Sequence, residues 1–262
     1  SLKNVFEDIS AKTGLDFNAT ISVLAKMPLF INGSDHKQSR SEMAAILAKT
    51  RDEQKAAIED VARSAFSKNL IDGGSMDIVS DLTGPMFQAF TTVATGADWT
   101  EEGALDDDYP RIMDPICSLN KRRRINRSWR DIISSHKDNW ISAETKLALL
   151  TLGSDTFRGS LAISFWKTVE RNQNVALKDI PWPTTIPATS LPYADRVALI
   201  DWEWNGFEVK SGQRVRVVVE ASAQYGPLET SDCLFGKGRH MCVGKPVAET
   251  AWRTIVKHVQ NS

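Results

Sequence analysis

The run Phe235-Gly-Lys-Gly-Arg-His-Met-Cys242-Val-Gly244, followed by Lys245-Pro246, constrains this chain more than any other stretch. Glycines at 236, 238 and 244 let the backbone turn tightly and approach a flat ligand, because no Cβ obstructs it. Pro246 stands where a first helical residue would. Beyond it Val247, Ala248, Ala251, Trp252, Ile255, Val256 and Val259 fall on one helical face. Cys242 is therefore expected just before a helix N-terminus. There the free N–H groups and the macrodipole favour an anion, which lowers a thiol pKa and suits a thiolate ligand or nucleophile. The competing reading is a glycine-rich turn with a buried, inert cysteine.

The rest of the chain reads as mostly helical. Residues 2–31 suggest one or two helices and a loop, and Asn32-Gly33 a turn, with Ser34 or Asp35 as N-cap of a helix from His36 to Lys49. His36 and Arg40 lie one turn apart on that helix; taken alone, the pair reads as a solvated polar face. A further amphipathic helix is expected over 51–70, stopped by Asp72-Gly73-Gly74, and another over 76–96, bent or interrupted at Pro85. Acidic residues crowd 97–108 in what reads as an exposed loop, and Lys121 to Arg124 with Arg127 and Arg130 make a basic patch suited to an acidic partner. Ser142 to Asn172 is the longest periodic stretch, about 46 Å as one helix. Within it Leu152-Gly153-Ser154-Asp155-Thr156 looks locally like a helix stop and a new N-cap. Residues 173–195 form a proline-rich connector. Arg196 to Trp204 and Phe207 to Glu220 read as strands joined at Asn205-Gly206, a type I′ turn signal.

Phe235, Gly238, His240, Cys242 and Gly244 fit F-x-x-G-x-H-x-C-x-G, and the chain thereby resembles the cytochrome P450 family. The resemblance implies a mainly α fold with a small β hairpin, a truncated P450-like architecture, and haem b as cofactor. It also implies Cys242 as the axial thiolate on iron, with Phe235, Gly236 and Gly244 shaping the loop around the cofactor. Asp35-His36-Lys-Gln-Ser-Arg40 is similar to the H-x-x-x-R that opens the family's C helix. Arg196, Ala198, Asp201, Gly206, Gly212 and Val215 match the register of the family's R-x-A-x-x-D sheet segment. On that reading His36, Arg40, Arg196 and His240 hold the haem propionates. Asp155 and Thr156 occupy the acid and alcohol positions of the kinked G-x-D/E-T segment in the family's long I helix, and would deliver protons during dioxygen activation. Met76 to Met86 is similar to the family's D-L-V-x-D-L-x-x-P-L-P.

The pattern also departs from the family. No Glu is followed by an Arg three residues later, so the E-x-x-R of the K helix is missing. The interval from Thr156 to Arg196 leaves little room for the helices that normally separate them. The C helix would begin about 35 residues into the chain, with the usual N-terminal helices and sheet largely missing. A homodimer is expected to cover the face this exposes.

The organisation implied is one haem-binding domain over 1–262: helical 1–172, connector 173–195, hairpin 196–220, and haem loop with last helix 231–260. Composition narrows the setting. A net charge of −1, without aromatic platforms or zinc spacing, argues against a nucleic-acid binder. Three cysteines (117, 233, 242) give no disulfide framework and fit a reducing cytoplasm. No apolar run approaches the ~18 residues of a membrane span. The function expected is a monooxygenase or oxidase acting on a small organic molecule in specialised metabolism, supplied by a ferredoxin-type donor. The alternatives are a haem-thiolate isomerase or dehydratase needing no external electrons, a non-catalytic P450-like auxiliary partner, and a haem sensor. Substrate contacts are expected from 22–32, 80–95 and 188–195.

Overall fold

The computed structural model describes residues 2–69, 74–97, 108–137, 140–219 and 234–261. The acidic residues 98–107, Cys233 and the end of the second predicted strand at Glu220 therefore lie outside the described residues.

Helix α1 (Leu2–Thr13) and helix α2 (Asn18–Leu24) meet through the rings of Phe6 and Phe17, 5.1 Å apart and both fully buried. A bend at residues 25–32 leads into α3 (Gly33–Lys49), followed by α4 (Arg51–Asn69). Helix α3 starts slightly earlier than expected, with Asn32 rather than Ser34 or Asp35 at its N-cap. The next expected helix divides in two. Asp77 accepts hydrogen bonds from the backbone of Val79 and Ser80 and opens a wide π-helical turn, Ile78–Thr83; α5 (Gly84–Thr95) then begins with Pro85 in its first turn. A proline is cheap there, because that N–H would have no intrahelical partner. A Cβ on Gly84 would lie 2.8 Å from the Val79 carbonyl oxygen, so the junction also needs glycine.

Two serine-capped helices follow. Ser118 caps α6 (Leu119–Ser135) and Ser142 caps α7 (Ala143–Glu170), each accepting from a backbone N–H three residues on. At 28 residues, α7 is about 42 Å long. It runs without interruption through Gly153-Ser154-Asp155, so the stop with a new cap does not occur there. The glycine serves packing instead: a Cβ at 153 would come within 3.2 Å of the Phe87 ring on α5. A buried polar clasp ties α6 to α2. Asn126 accepts from both the backbone and the hydroxyl of Thr20, at 2.9 Å each, and donates to the Asp16 carbonyl at 3.0 Å.

Between α7 and the first strand there is only one short 3-10 turn, Leu177–Asp179. Strand β1 (Tyr193–Val197) begins three residues before the expected boundary and pairs antiparallel with β4 (Arg214–Val218); β2 (Trp202–Trp204) pairs with β3 (Phe207–Val209). The two ladders form one arm, bent between them at residues 198–201 and 210–213. Asn205 and Gly206 at its end have φ of 49° and 81°, the paired positive values a type I′ turn requires.

The last helix, α8 (Lys245–Gln260), buries Ala251, Trp252, Ile255 and Val259 completely, on the face the sequence marked. Trp252 donates its indole N–H to the Pro183 carbonyl at 2.9 Å and meets Trp182 edge-on, with centroids 6.0 Å apart. Farther along, Glu59 of α4 accepts from Lys257 at 2.7 Å and His258 at 2.9 Å. The Lys257 hydrogen bond, opposed by some burial and aided by His258, holds the Glu59 carboxyl below the usual carboxylate range.

Trp252→Ala should cost about 3–5 kcal/mol in denaturant unfolding, as the removal of a fully buried indole does. Because Glu59 has a depressed folded pKa, its contribution is complete above the ordinary glutamate pKa and is lost as pH falls through the lowered folded value. Glu59→Gln should therefore lower stability at neutral pH and flatten the acid limb of a stability–pH curve.

Candidate haem-binding site

The loop ahead of α8 is closed by its own backbone. The N–H of Cys242 donates to the Phe235 carbonyl at 2.7 Å, and the N–H of Met241 to Gly238 at 3.2 Å. Both closures depend on Gly236 and Gly238, each with φ of 72°, a conformation side chains resist. A Cβ at 236 would also lie 3.5 Å from the His240 carbonyl. Cys242 is two residues ahead of Gly244, the N-cap of α8. Although solvent reaches Cys242, enough protein surrounds its sulfur for desolvation to push the thiol pKa up. Backbone N–H groups of Gly244 and Lys245 and the charge of Arg40 pull the other way. A sulfur so placed forms a thiolate readily only when a cation or metal offsets the desolvation. The ammonium of Lys245 sits 5.7 Å from the centroid of the Phe235 ring, bracing the entrance to the loop.

Four predicted cationic residues converge here. His36 is buried on α3, its ring centroid 4.2 Å from that of His240. Arg40, one turn on, donates to the Met241 carbonyl and so ties α3 to the cysteine loop. Arg196 reaches the cluster from β1, with one guanidinium N–H on the Asp195 carbonyl at 2.8 Å. The pKa of His240 is pushed down, first by burial and then by the fields of His36, Arg196, Arg40 and Arg239. Arg239 is a fifth cation that the motif did not single out; its adjacency to His240 was the only signal. Among the described residues none of these five side chains pairs with a carboxylate, and the buried Nε2 of His36 has no hydrogen-bond partner. A cluster of basic side chains with no carboxylate partner among the described residues, holding an unsatisfied imidazole nitrogen near the cysteine loop, has the donor set for a bound anion beside a metal.

Asp155 and Thr156 are placed differently. Both are exposed on α7; the Asp155 side chain is 68% accessible and pairs with Arg158 at 3.3 Å. The Thr156 hydroxyl donates back to Leu152 at 3.0 Å and Gly153 at 3.3 Å. Among the described contacts none joins either residue to the 235–244 loop. The expected connector residues pack directly on the same helix: Ser160, Ser164 and the Asp155 carbonyl bond to Ala188, Thr189 and Ser190. A Cβ on Gly159 would overlap Ser190 at 2.7 Å.

No protein-family model matches the chain, and no curated protein matches it by sequence. Solved structures match over nearly all its length. P450BioI in complex with hexadec-9Z-enoic acid ligated acyl carrier protein superposes with a TM-score of 0.68 at 16% identity, covering 92% of this chain and 75% of that one. CalO2 gives 0.69 at 16% identity, covering 97% and 76%. The versatile cytochrome P450 enzyme CYP109B1 from Bacillus subtilis gives 0.65 at 16% identity, covering 92% and 80%. The chain has a cytochrome P450-like fold. Within it, the orphaned His36 nitrogen, the basic side chains without a carboxylate partner among the described residues and the thiol ahead of α8 are donors of the kind that a haem and its propionates would require. No helix among the described residues is long and apolar enough to cross a membrane.

With its pKa raised, Cys242 of the haem-free protein should alkylate with iodoacetamide half-maximally at a pH above that of an ordinary cysteine. Removing the Arg40 charge in Arg40→Met should move that midpoint higher still, as mass spectrometry of the modified peptide would read.

Proposed function

We propose that this chain is a haem-thiolate oxidoreductase of the P450 type, a monooxygenase or oxidase acting on a small or medium-sized organic molecule. The observation that carries the reading is the arrangement of Cys242 at the start of α8, facing a cluster of cations with no carboxylate among them. In this reading Cys242 would ligate the iron, Phe235, Gly236 and Gly244 would shape the loop around the cofactor, and His36, Arg40, Arg196 and His240 would hold the propionates. Bound haem would supply oxygen-activating redox chemistry at its iron. The N–H groups of Gly244 and Lys245 would stabilise the thiolate form of Cys242, and the Arg40 link to Met241 would keep the sulfur in register with α3. A ferredoxin-type protein is the electron donor this reading calls for. Fold neighbours carrying a hexadecenoic acid and testosterone fit a medium-sized, largely apolar substrate.

Asp155 and Thr156 would be the residues that move protons in this reading. Thr156 would have to turn its hydroxyl proton away from the Leu152 carbonyl, and Asp155 would have to leave Arg158, before either could act. That requirement favours a second reading for attention, a haem-thiolate isomerase or dehydratase, which needs no external electrons and no distal proton relay.

The reduced, carbon monoxide-treated protein should show the strongly red-shifted Soret band of thiolate-ligated haem, and Cys242→Ser should abolish the shift. Haem binding without that band would refute the thiolate assignment. Thr156→Ala should divert reducing equivalents to hydrogen peroxide while lowering product formation by about 10-fold or more, the scale of a lost proton-transfer group. Unchanged turnover in that variant, with no peroxide and no need for a donor, would favour the isomerase or dehydratase.

A further inference from the structure

The run of like charge on α6 takes no part in the site described above. Residues 108–135 hold seven basic side chains against three acidic ones, a net +4 in a chain whose net charge is −1. The helix sorts them by face. Ile125, Asn126 and Trp129 are buried against the body of the molecule. Arg122 turns inward with them, donating to the Asp114 carbonyl at 2.9 Å with its guanidinium 5.4 Å from the centre of the Phe6 ring. Lys121 and Arg124 pair with Asp108, and Arg111 with Asp114. Leu119, Arg123, Arg127, Arg130 and Ser134 remain, all exposed. Their spacing sets them within one arc of about 80° on a 3.6-residue helix, a single outward stripe roughly 22 Å long. Arg130 pairs with its neighbour Asp131 at the border of that stripe. Among the described residues no carboxylate pairs with Arg123 or Arg127.

The end of the stripe narrows what it fits. Ile116, in the turn that leads into α6, is 88% exposed, and Leu119, the first residue of the helix, is 42% exposed. That turn is held in place, since Asp114 accepts from the Ile116 N–H at 3.0 Å while its own carbonyl is bound by Arg122. Two aliphatic side chains are thus presented ahead of a row of guanidinium groups. Guanidinium binds phosphate oxygens in pairs and sheds water more readily than ammonium does. A bilayer surface offers anionic phosphates at any spacing and, just beneath them, hydrocarbon for an aliphatic side chain. A specific protein partner would instead need about 800 Å² of matching surface on this side, and one row of side chains on an open helix face is far narrower than that.

We propose that the outer stripe of α6 binds an anionic phospholipid surface, with α6 lying in the plane of the interface and Ile116 and Leu119 entering the hydrocarbon boundary. The full chain should sediment with vesicles of equal parts phosphatidylserine and phosphatidylcholine. At about fivefold per arginine, the three should favour these over pure phosphatidylcholine by roughly 100-fold. Raising salt from ~0.1 M to ~1 M, which cuts the screening length from about 10 Å to 3 Å, should release most of the protein. Arg123→Glu with Arg127→Glu should remove the preference for anionic vesicles, and Arg123→Lys with Arg127→Lys should retain it. Ile116→Ser should weaken binding by about 10-fold at unchanged salt dependence, the scale of one lost buried aliphatic side chain. All three variants should keep the far-ultraviolet circular dichroism of the wild type. Equal sedimentation on both vesicle compositions overturns the proposal, as does anionic binding that survives the Arg→Glu pair. A wild type that ignores anionic vesicles yet binds poly-glutamate through Arg123 and Arg127 also overturns it, and assigns the stripe to an acidic protein partner.

Discussion

Burial of Trp252 is the contact on which the placement of Cys242 rests. The indole is closed off on all sides, its one polar atom is satisfied by the Pro183 carbonyl, and Trp182 meets it in an edge-on arrangement. An amphipathic helix held this way has little freedom to rotate or slide, because turning its apolar stripe out would expose Ala251, Ile255 and Val259 together. The N-terminus of α8, and the cysteine two residues ahead of its cap, therefore inherit their position from the core. Glu59 adds a second attachment near the other end of the helix, to α4. A hydrophobic anchor and one carboxylate clamp thus fix the helix that carries the cysteine loop.

Electrostatics at the loop work against the apoprotein and for a bound anion. Four basic groups, His36, Arg196, Arg40 and Arg239, gather around His240, while desolvation holds back both that imidazole and the Cys242 thiol from charging. Left alone, the like charges repel, and the thiol lacks the strong cationic partner that would ionise it. In the proposed reading, a dianionic ligand with a metal centre would relieve both conditions, neutralising the basic side chains and favouring the thiolate. Arg40 is shared between the two, since it bonds the loop through Met241 and its field lowers the thiol pKa.

Much of this arrangement was legible in the residues because it is written in local chemistry. Glycines at 236 and 238 mark backbone that only glycine takes easily, a one-turn spacing puts His36 and Arg40 on one face of α3, and Asn205-Gly206 specifies its turn. What escaped the sequence depends on partners distant along the chain. Gly153 reads as a helix stop until Phe87, some 66 residues earlier, is seen to need the space its missing Cβ leaves. Asn126 looks like one more polar residue in a basic helix, yet it is the buried clasp to Thr20 and Asp16. Pro85 signals an interruption but not its form, since the π turn before it comes from Asp77 capping two N–H groups in succession.

The placement of Asp155 and Thr156 separates motif from geometry most clearly. Their spacing was legible, but a helix surface is defined by what packs on it, and here the 188–190 segment lies flush against α7 through serine hydroxyls and the bare Cα of Gly159. That contact fixes which side of α7 is covered and leaves the acid and the alcohol on the open side, each satisfied by its own helix. In the proposed role Asp155 would have to leave its ion pair with Arg158, and Thr156 would have to give up its bond to the Leu152 carbonyl, the latter at a cost on the order of 1 kcal/mol. A cost that small is compatible with turnover. The activity of Thr156 would then depend on whether substrate, on entering, offers its hydroxyl a better acceptor than the Leu152 carbonyl.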